Sequence, residues 1–286
     1  MIPPGFDYHA PHTVADALAL MGQLGPDAKL LAGGHSLLPM MKLRFAQPSA
    51  LIDLNRIPSL RGIREEGDTI VIGAMTVENE LIRSELLKAK VPLLPEAAKL
   101  IADPQVRNRG TIGGDIAHGD PANDHPALAI ALDATFVLQG PGGSRQVKAD
   151  AFFLGLYTTD MAEDEILTEI RIPALPAGTG CAYNKLKRKT GDWATAAAAV
   201  VLRLQGGVVS HIRIALTNVA PTALRATAAE DALRGQPLND SSIAAAAAAA
   251  MAICDPADDL RGNRAYKTAM AGQMLKRAIA QAAARC

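Results

Sequence analysis

Residues 115–125 read "DIAHGDPANDH" and hold Asp115, His118, Asp120, Asp124 and His125. Carboxylates and imidazoles at such short spacing can ligate a divalent ion, which there would activate water for hydrolysis. The same stretch also fits plain structure. Pro121 and Asn123 suit a turn, and Asp124 suits the N-cap of a helix beginning near Pro126. A third role for Asp124 is acceptance of ribose hydroxyls, the part an acidic residue plays in dinucleotide sites.

Two glycine pairs add a second kind of chemistry. In "AKLLAGGHSLLPMMKLRF", residues 28–45, Gly33-Gly34 breaks a strand and a helix follows. Glycine takes positive φ and has no Cβ, so such a loop turns main-chain N–H groups outward and lets a ligand approach closely. A helix starting near Ser36 adds unpaired N–H groups and the positive end of its dipole, with Pro39 tolerated in the first turn. One such loop reads as an ordinary tight turn. A second, "GTIGGD" at 110–115, with Arg107 and Arg109 upstream, lies in a different predicted unit. Two such loops point to a diphosphate held in a cleft between units. No G-x-G-x-x-G follows a strand and no G-x-x-x-x-G-K-[ST] occurs, which excludes Rossmann and P-loop readings. "GPGGS" at 140–144 reads as a hairpin tip. Lys185, Lys187, Arg188 and Lys189 read as a solvated basic edge, and Trp193, the single tryptophan, as core packing.

The elements that must position these residues follow from periodicity. Over 13–24, Val14, Ala17, Leu18, Met21 and Leu24 share one helical face, and Thr13 with Asp16 makes a capping box. The strand "KLLA", a helix over 36–44 and the strand "ALIDL" complete a small βαβαβ unit over 1–55, with a parallel sheet. Residues 56–176 read as an α+β unit with an antiparallel sheet. It has hairpins in "GIREEGDTIVIGA" and "TFVLQGPGGSRQVKA", helices over 76–88, 95–102 and 124–133, and a closing strand "EILTEIRIP". Residues 177–286 read as an antiparallel sheet of "CAYNKLKRK", "TAAAAVVLRLQ" and "GVVSHIRIALTNV", then helices over 225–234, 241–253 and 259–284. The fold class is α+β.

At 286 residues the chain suits two or three such units. Its 29 basic residues balance 29 acidic ones, so no long-range field favours nucleic acid or an anionic membrane. Cys181, Cys254 and Cys286 are odd in number and widely spaced, against a disulfide framework, and too few for an iron–sulfur cluster, which takes four thiolates. "MIPPGFDYHAPH" lacks the basic and apolar regions of a signal peptide, and the longest apolar run, 243–254, is short of the ~20 residues of a spanning helix. These features lead to the expectation of a cytoplasmic protein.

With "AKLLAGGHSLLPMMKLR" and "VRNRGTIGGDIAHGDPANDHPALAIALDA" in this order, about one unit apart, the chain resembles the FAD-binding medium subunits of molybdenum hydroxylases, the family of xanthine dehydrogenase and aldehyde oxidase. The resemblance covers essentially the whole chain, and both loops are most similar to the aerobic carbon monoxide dehydrogenase branch. It implies that units 1–55 and 56–176 clasp FAD, with 177–286 beside them. It assigns Lys29, Leu30, Leu31, Ala32, Gly33, Gly34, His35, Ser36 and Leu37 to the side of the flavin diphosphate. Gly110, Thr111, Gly113, Gly114 and Asp115 form the opposing loop, with Ile101, Ala102, Val106, His118 and Asn123 also at the cofactor. Asp124 is set near the ribose, Ile166 and Leu167 against the pocket, Lys185 close to the flavin and Trp193 beside the isoalloxazine. His35, His118 and Asp120 depart in type from the eukaryotic xanthine dehydrogenase pattern.

The resemblance implies no catalytic or metal-binding residue in this chain. It implies an iron–sulfur small subunit with [2Fe–2S] clusters and a large subunit with the molybdenum cofactor as partners, arranged as a dimer of heterotrimers. Electrons would pass from the clusters through the flavin to a quinone or cytochrome, with the complex peripheral at the inner membrane face. Three alternatives stay open: a metal-dependent hydrolase on His118, Asp120, Asp124 and His125; a nonredox nucleotide-binding module; and a flavin subunit serving an aldehyde or an N-heterocycle.

Overall fold

The computed structural model describes residues 2–286. Thr13 Oγ1 accepts a hydrogen bond from the Asp16 N–H and starts α1 (Val14–Leu24), whose apolar face packs through Ala17 onto a small sheet. That sheet joins β1 (Asp7–His9), β2 (Ala28–Leu31) and β3 (Ala50–Asp53) in the parallel order β1-β3-β2, with α2 (Leu37–Lys42) between β2 and β3. The central strand β3 is buried at every residue, as its continuous apolar run requires. The expected βαβαβ order is present.

The middle of the chain forms an antiparallel sheet in the order β4-β5-β10-β6-β7. Its strands are β4 (Ile63–Glu66), β5 (Thr69–Gly73), β6 (Thr135–Gly140), β7 (Gly143–Lys148) and β10 (Ile166–Pro173). Both hairpins turn where expected. Six helices lie in this stretch: α3 (Glu78–Arg83), α4 (Glu85–Lys90), α5 (Leu93–Ala98), α6 (Pro104–Arg107), α7 (Ile112–His118) and α8 (Asp124–Ala131). A short turn of helix, α9 (Ala149–Phe152), leads into the β-ribbon β8 (Phe153–Gly155) and β9 (Thr158–Thr159).

Four expectations need correction here. The helix over 76–88 is broken in two, because Ser84 is extended and its Oγ caps the N–H of Leu87. The helix over 95–102 instead spans 93–98, with Pro95 in its first turn. Residues 112–118, read as a loop, are helical: Thr111 caps the N–H of Gly114 and the glycines stay inside the helix. The last helix begins at 264, not 259, where Asn263 caps the Tyr266 N–H.

The C-terminal sheet is antiparallel, β11-β12-β13-β14, from β11 (Thr179–Leu186), β12 (Ala196–Gln205), β13 (Val208–Thr217) and β14 (Leu224–Arg225). Helices α10 (Thr227–Leu233), α11 (Asp240–Ala252) and α12 (Arg264–Ala283) cover one face. The other face joins the middle core through Cys181, Tyr183, Ala197 and Ala199. Period-2 alternation along β11 and β12 therefore feeds two cores at once.

Candidate functional site

A cleft of about 880 Å³ opens between the N-terminal sheet and the middle sheet, within the ~300–1,000 Å³ range of cofactor sites. Its two facing loops touch main chain to main chain. A Cβ on Gly33 would collide with the carbonyl oxygen of Arg109 and approach the Gly110 Cα to 2.8 Å. Gly34 has φ 76°, a left-handed conformation that glycine adopts without strain. The N–H groups of Gly34, His35 and Ser36 make no hydrogen bond within the described residues. Asn55 holds the loop from behind, donating to the Ala32 carbonyl at 2.9 Å. Burial, and then the charge of Arg109, lower the pKa of His35.

The second glycine pair differs. Gly113 donates its N–H to the Ala74 carbonyl at 2.9 Å and Gly114 donates to Thr111 Oγ1 at 3.1 Å. A Cβ on Gly113 would lie 2.5 Å from that of Ala74, so this glycine serves close packing. The expectation of two equivalent anion-cradling loops is corrected accordingly. The free N–H groups belong to the first loop, and α2, with six residues, adds little dipole.

Below the cleft lies a buried polar cluster. Asp124 accepts from Tyr183 Oη at 2.5 Å and from Lys185 Nζ at 2.6 Å, and the Asp124 and Lys185 side chains are only 4% and 2% exposed. Tyr183 also meets Thr217 Oγ1 at 3.1 Å. His125 Nε2 stands 2.8 and 3.0 Å from the two Glu78 oxygens. Burial alone would lower the His125 pKa, but the Glu78 carboxylate overrides it and pushes it up to about 9. The Asp115 carboxyl has no hydrogen-bond partner among the described residues and Oδ1 is shielded. Burial pushes its pKa up to about 8; nearby His125 opposes the rise, and Glu78, Asp124 and Asp120 add to it.

Asp124 is therefore neither free nor a side-chain cap: Asn123 holds the N-cap position of α8. The turn reading fits, since Ala122 N–H donates to Asp120 Oδ1 at 2.9 Å. His118 leans on the Tyr157 ring at 5.0 Å. The four side chains of the hydrolase reading thus have separate partners, and no cluster of three potential metal ligands occurs among the described residues.

The chain matches two family profiles, described as FAD binding domain in molybdopterin dehydrogenase over residues 4–175 and CO dehydrogenase flavoprotein C-terminal domain over residues 181–282. The chain belongs to the FAD-binding family of molybdopterin dehydrogenases. Within this FAD-binding family it is 70% identical to the carbon monoxide dehydrogenase medium chain of Hydrogenophaga pseudoflava over the full length of both. It is 54% identical to that of Afipia carboxidovorans, covering 100% of this chain and 99% of the relative. A solved structure of carbon monoxide dehydrogenase from Hydrogenophaga pseudoflava, lacking the Mo-pyranopterin moiety of the molybdenum cofactor, superposes with a TM-score of 0.99 at 72% identity, covering both chains completely.

For this FAD-binding family member, the cleft brings together Lys29, Leu30, Ala32, Gly33, Gly34, His35, Ser36 and Leu37 from the first loop. Ile101, Ala102, Val106, Gly110, Thr111, Gly113, Gly114, Asp115, His118, Asn123 and Asp124 line the opposite wall, joined by Ile166, Leu167, Lys185 and Trp193. Leu31 lies outside the lining. Lys185 is not a solvated edge residue: its side chain is 2% exposed and its ammonium lies 2.6 Å from Asp124, the first residue of α8. Trp193 is not core: it is 50% exposed, with the Arg261 guanidinium 5.4 Å from its ring. Sequence reasoning missed Tyr183 and Glu78. Tyr183 was legible in principle, since strand period places it on the same face as Lys185. Glu78 carries no local signal.

Proposed function

We propose that this chain holds FAD in the cleft and serves as the flavin-bearing electron-transfer subunit of a molybdenum iron–sulfur hydroxylase of the carbon monoxide dehydrogenase type. The observation that carries the reading is the run of unpaired N–H groups from Gly34 to Ser36, facing a cleft of about 880 Å³. Outward main-chain donors around a glycine are a site for phosphate oxygens. FAD, when bound, takes up electrons from one partner and delivers them to another.

The chain's own residues bind and orient. Gly34, His35 and Ser36 donate N–H bonds to the diphosphate, Gly33 keeps the loop against Arg109 and Gly110, and Ile166 and Leu167 supply an apolar wall. The Asp124–Lys185 pair fixes one carboxylate and one ammonium at the cleft floor. Trp193 offers an aromatic face at the rim. Units 1–55 and 56–176 form the two main walls, and 177–286 adds Lys185 at the floor and Trp193 at the rim. The relatives are named as medium chains of carbon monoxide dehydrogenase, which supports an iron–sulfur small subunit and a molybdenum-bearing large subunit as partners. A dimer of such trimers is the assembly expected of closed two-fold symmetry. The acceptor is a quinone or cytochrome, with the complex cytoplasmic or peripheral at the inner membrane face; no helix among the described residues is long and apolar enough to cross a membrane.

The test is purification of the complete complex, a flavin absorption spectrum, and carbon monoxide-dependent dye reduction. Flavin released from this chain in one-to-one ratio supports the reading. A complex with no flavin on this chain overturns it.

A further inference from the structure

Asp115 differs from the other acids that line the cleft. Its carboxyl makes no hydrogen bond among the described residues, and Oδ1 is out of reach of solvent. The groups gathered around it are Glu78 on α3, His125 and Asp124 on α8, Asp120 in the turn between α7 and α8, and Tyr183 and Lys185 on β11. Three of these acids, Glu78, Asp115 and Asp124, share two cations. His125 is spent on Glu78 at 2.8 Å and Lys185 on Asp124 at 2.6 Å. Asp115 is left with neither a cation nor a donor. A carboxylate with one oxygen shielded from water and no donor is disfavoured, whereas one proton balances Glu78, Asp115 and Asp124 against the two cations and turns an unpartnered acceptor into a donor. Asp115 lines the same cleft as Gly34, His35 and Ser36, whose N–H groups are free.

We propose that Asp115 carries a proton when the cleft holds an anionic dinucleotide and donates a hydrogen bond to it, so that retention of the diphosphate-bearing cofactor is coupled to one proton. The proposal rests on the reading that the cleft binds FAD. Burial, which pushes the group up to about 8, agrees with it. Above that range the carboxylate repels the diphosphate.

The test uses the complete complex depleted of flavin and titrated at fixed ionic strength from about pH 6 to about pH 10, a range spanning the titration of the group. The probes are FAD and riboflavin, which lacks the diphosphate. The wild-type Kd for FAD is expected to rise about tenfold per pH unit above the titration, the slope one linked proton imposes, while riboflavin binding stays flat. Asp115→Asn, neutral at every pH, is expected to lose the slope, whatever its absolute Kd. Calorimetry of the wild type in two buffers of different ionisation enthalpy counts the proton directly and needs no variant to fold. About one proton taken up per FAD at alkaline pH supports the proposal. FAD binding without pH dependence, zero proton uptake, an undiminished slope in Asp115→Asn, or the same slope for riboflavin overturns it. Absence of FAD binding at every pH overturns the FAD reading itself.

Discussion

Gly33 lies against the carbonyl of Arg109 so closely that there is no room for a Cβ. The two walls of the cleft are thus joined at a point where only glycine fits. Gly33→Ala is expected to force the loops apart, at about 1–3 kcal/mol of overpacking, and to lower flavin retention. Gly34→Val acts differently, through its φ of 76°, which a β-branched residue resists. Both variants are read by thermal melting and by flavin-to-protein ratio. Wild-type values of both quantities in Gly33→Ala would remove the contact from the account.

The Asp124–Lys185 pair is almost fully buried. Lys185→Met leaves a carboxylate without its cation and is expected to destabilise the chain by about 3–5 kcal/mol. Adding Asp124→Asn removes the stranded charge, so the double variant is expected to recover most of that loss. Asp124→Asn alone leaves the buried Lys185 ammonium without its carboxylate and is expected to destabilise the chain as well. Urea unfolding of the three variants gives the double-mutant cycle; simple additivity would mean that the two groups do not act as a pair.

Alkaline pH probes the His125–Glu78 pair. A folded-state pKa of about 9 lies above the unfolded value of 6.5, so the folded chain binds more protons in between. The stabilisation is complete below about pH 6.5 and is lost as pH rises through about 9. Asp115, raised from 3.8 to about 8, has the same sign: its folded form also holds the extra proton, and its contribution falls as pH rises to about 8. The expected outcome is a denaturant midpoint that declines from neutral to alkaline pH, with a weaker decline in His125→Gln. A midpoint that rises over that range would contradict the protonation assigned to this cluster.

Trp193 gives the cleft an optical reporter. It is the single tryptophan, half exposed, and lines the cleft. FAD added to flavin-depleted complex is expected to quench the emission of this residue, with partner-chain tryptophans subtracted through Trp193→Phe. An emission difference insensitive to FAD would place the isoalloxazine elsewhere.

The hairpins, the βαβαβ order and the C-terminal sheet were legible because strand alternation and glycine-rich turns are local signals. Helix α7 was not, because Gly113-Gly114 looks like a loop unless one knows that Ala74 leaves no room for a side chain. Lys185 reads as surface from its neighbours alone for a related reason, and only the family resemblance sets it at the cleft. Its basic neighbours suggest a surface, while its partner Asp124 stands 61 residues away. Trp193 by itself reads the opposite way, since a large aromatic is core by default and only a tertiary cleft leaves it half exposed. The glycine pairs were found by sequence, but their division of labour, one with free N–H groups and one for packing, depends on hydrogen bonds made across the fold.

The isolated chain is expected to be catalytically silent. An iron–sulfur cluster takes four thiolates, and this chain has three cysteines, on β11, beyond α11 and at the C-terminal residue. Burial pushes two of them, Cys181 and Cys254, up to about 11, so both are poor thiolates at neutral pH. Lacking a nicotinamide-binding fingerprint as well, the sequence offers its flavin no electron source of its own. Carbon monoxide-dependent dye reduction should therefore be absent from the FAD-loaded chain alone and present in the complete complex at equal flavin concentration. An isolated chain that retains no FAD would be a matter of cleft organisation and is checked by its spectrum before the assay. Turnover by the FAD-loaded isolated chain would overturn the subunit reading, because the electron source would then have to lie within its 286 residues.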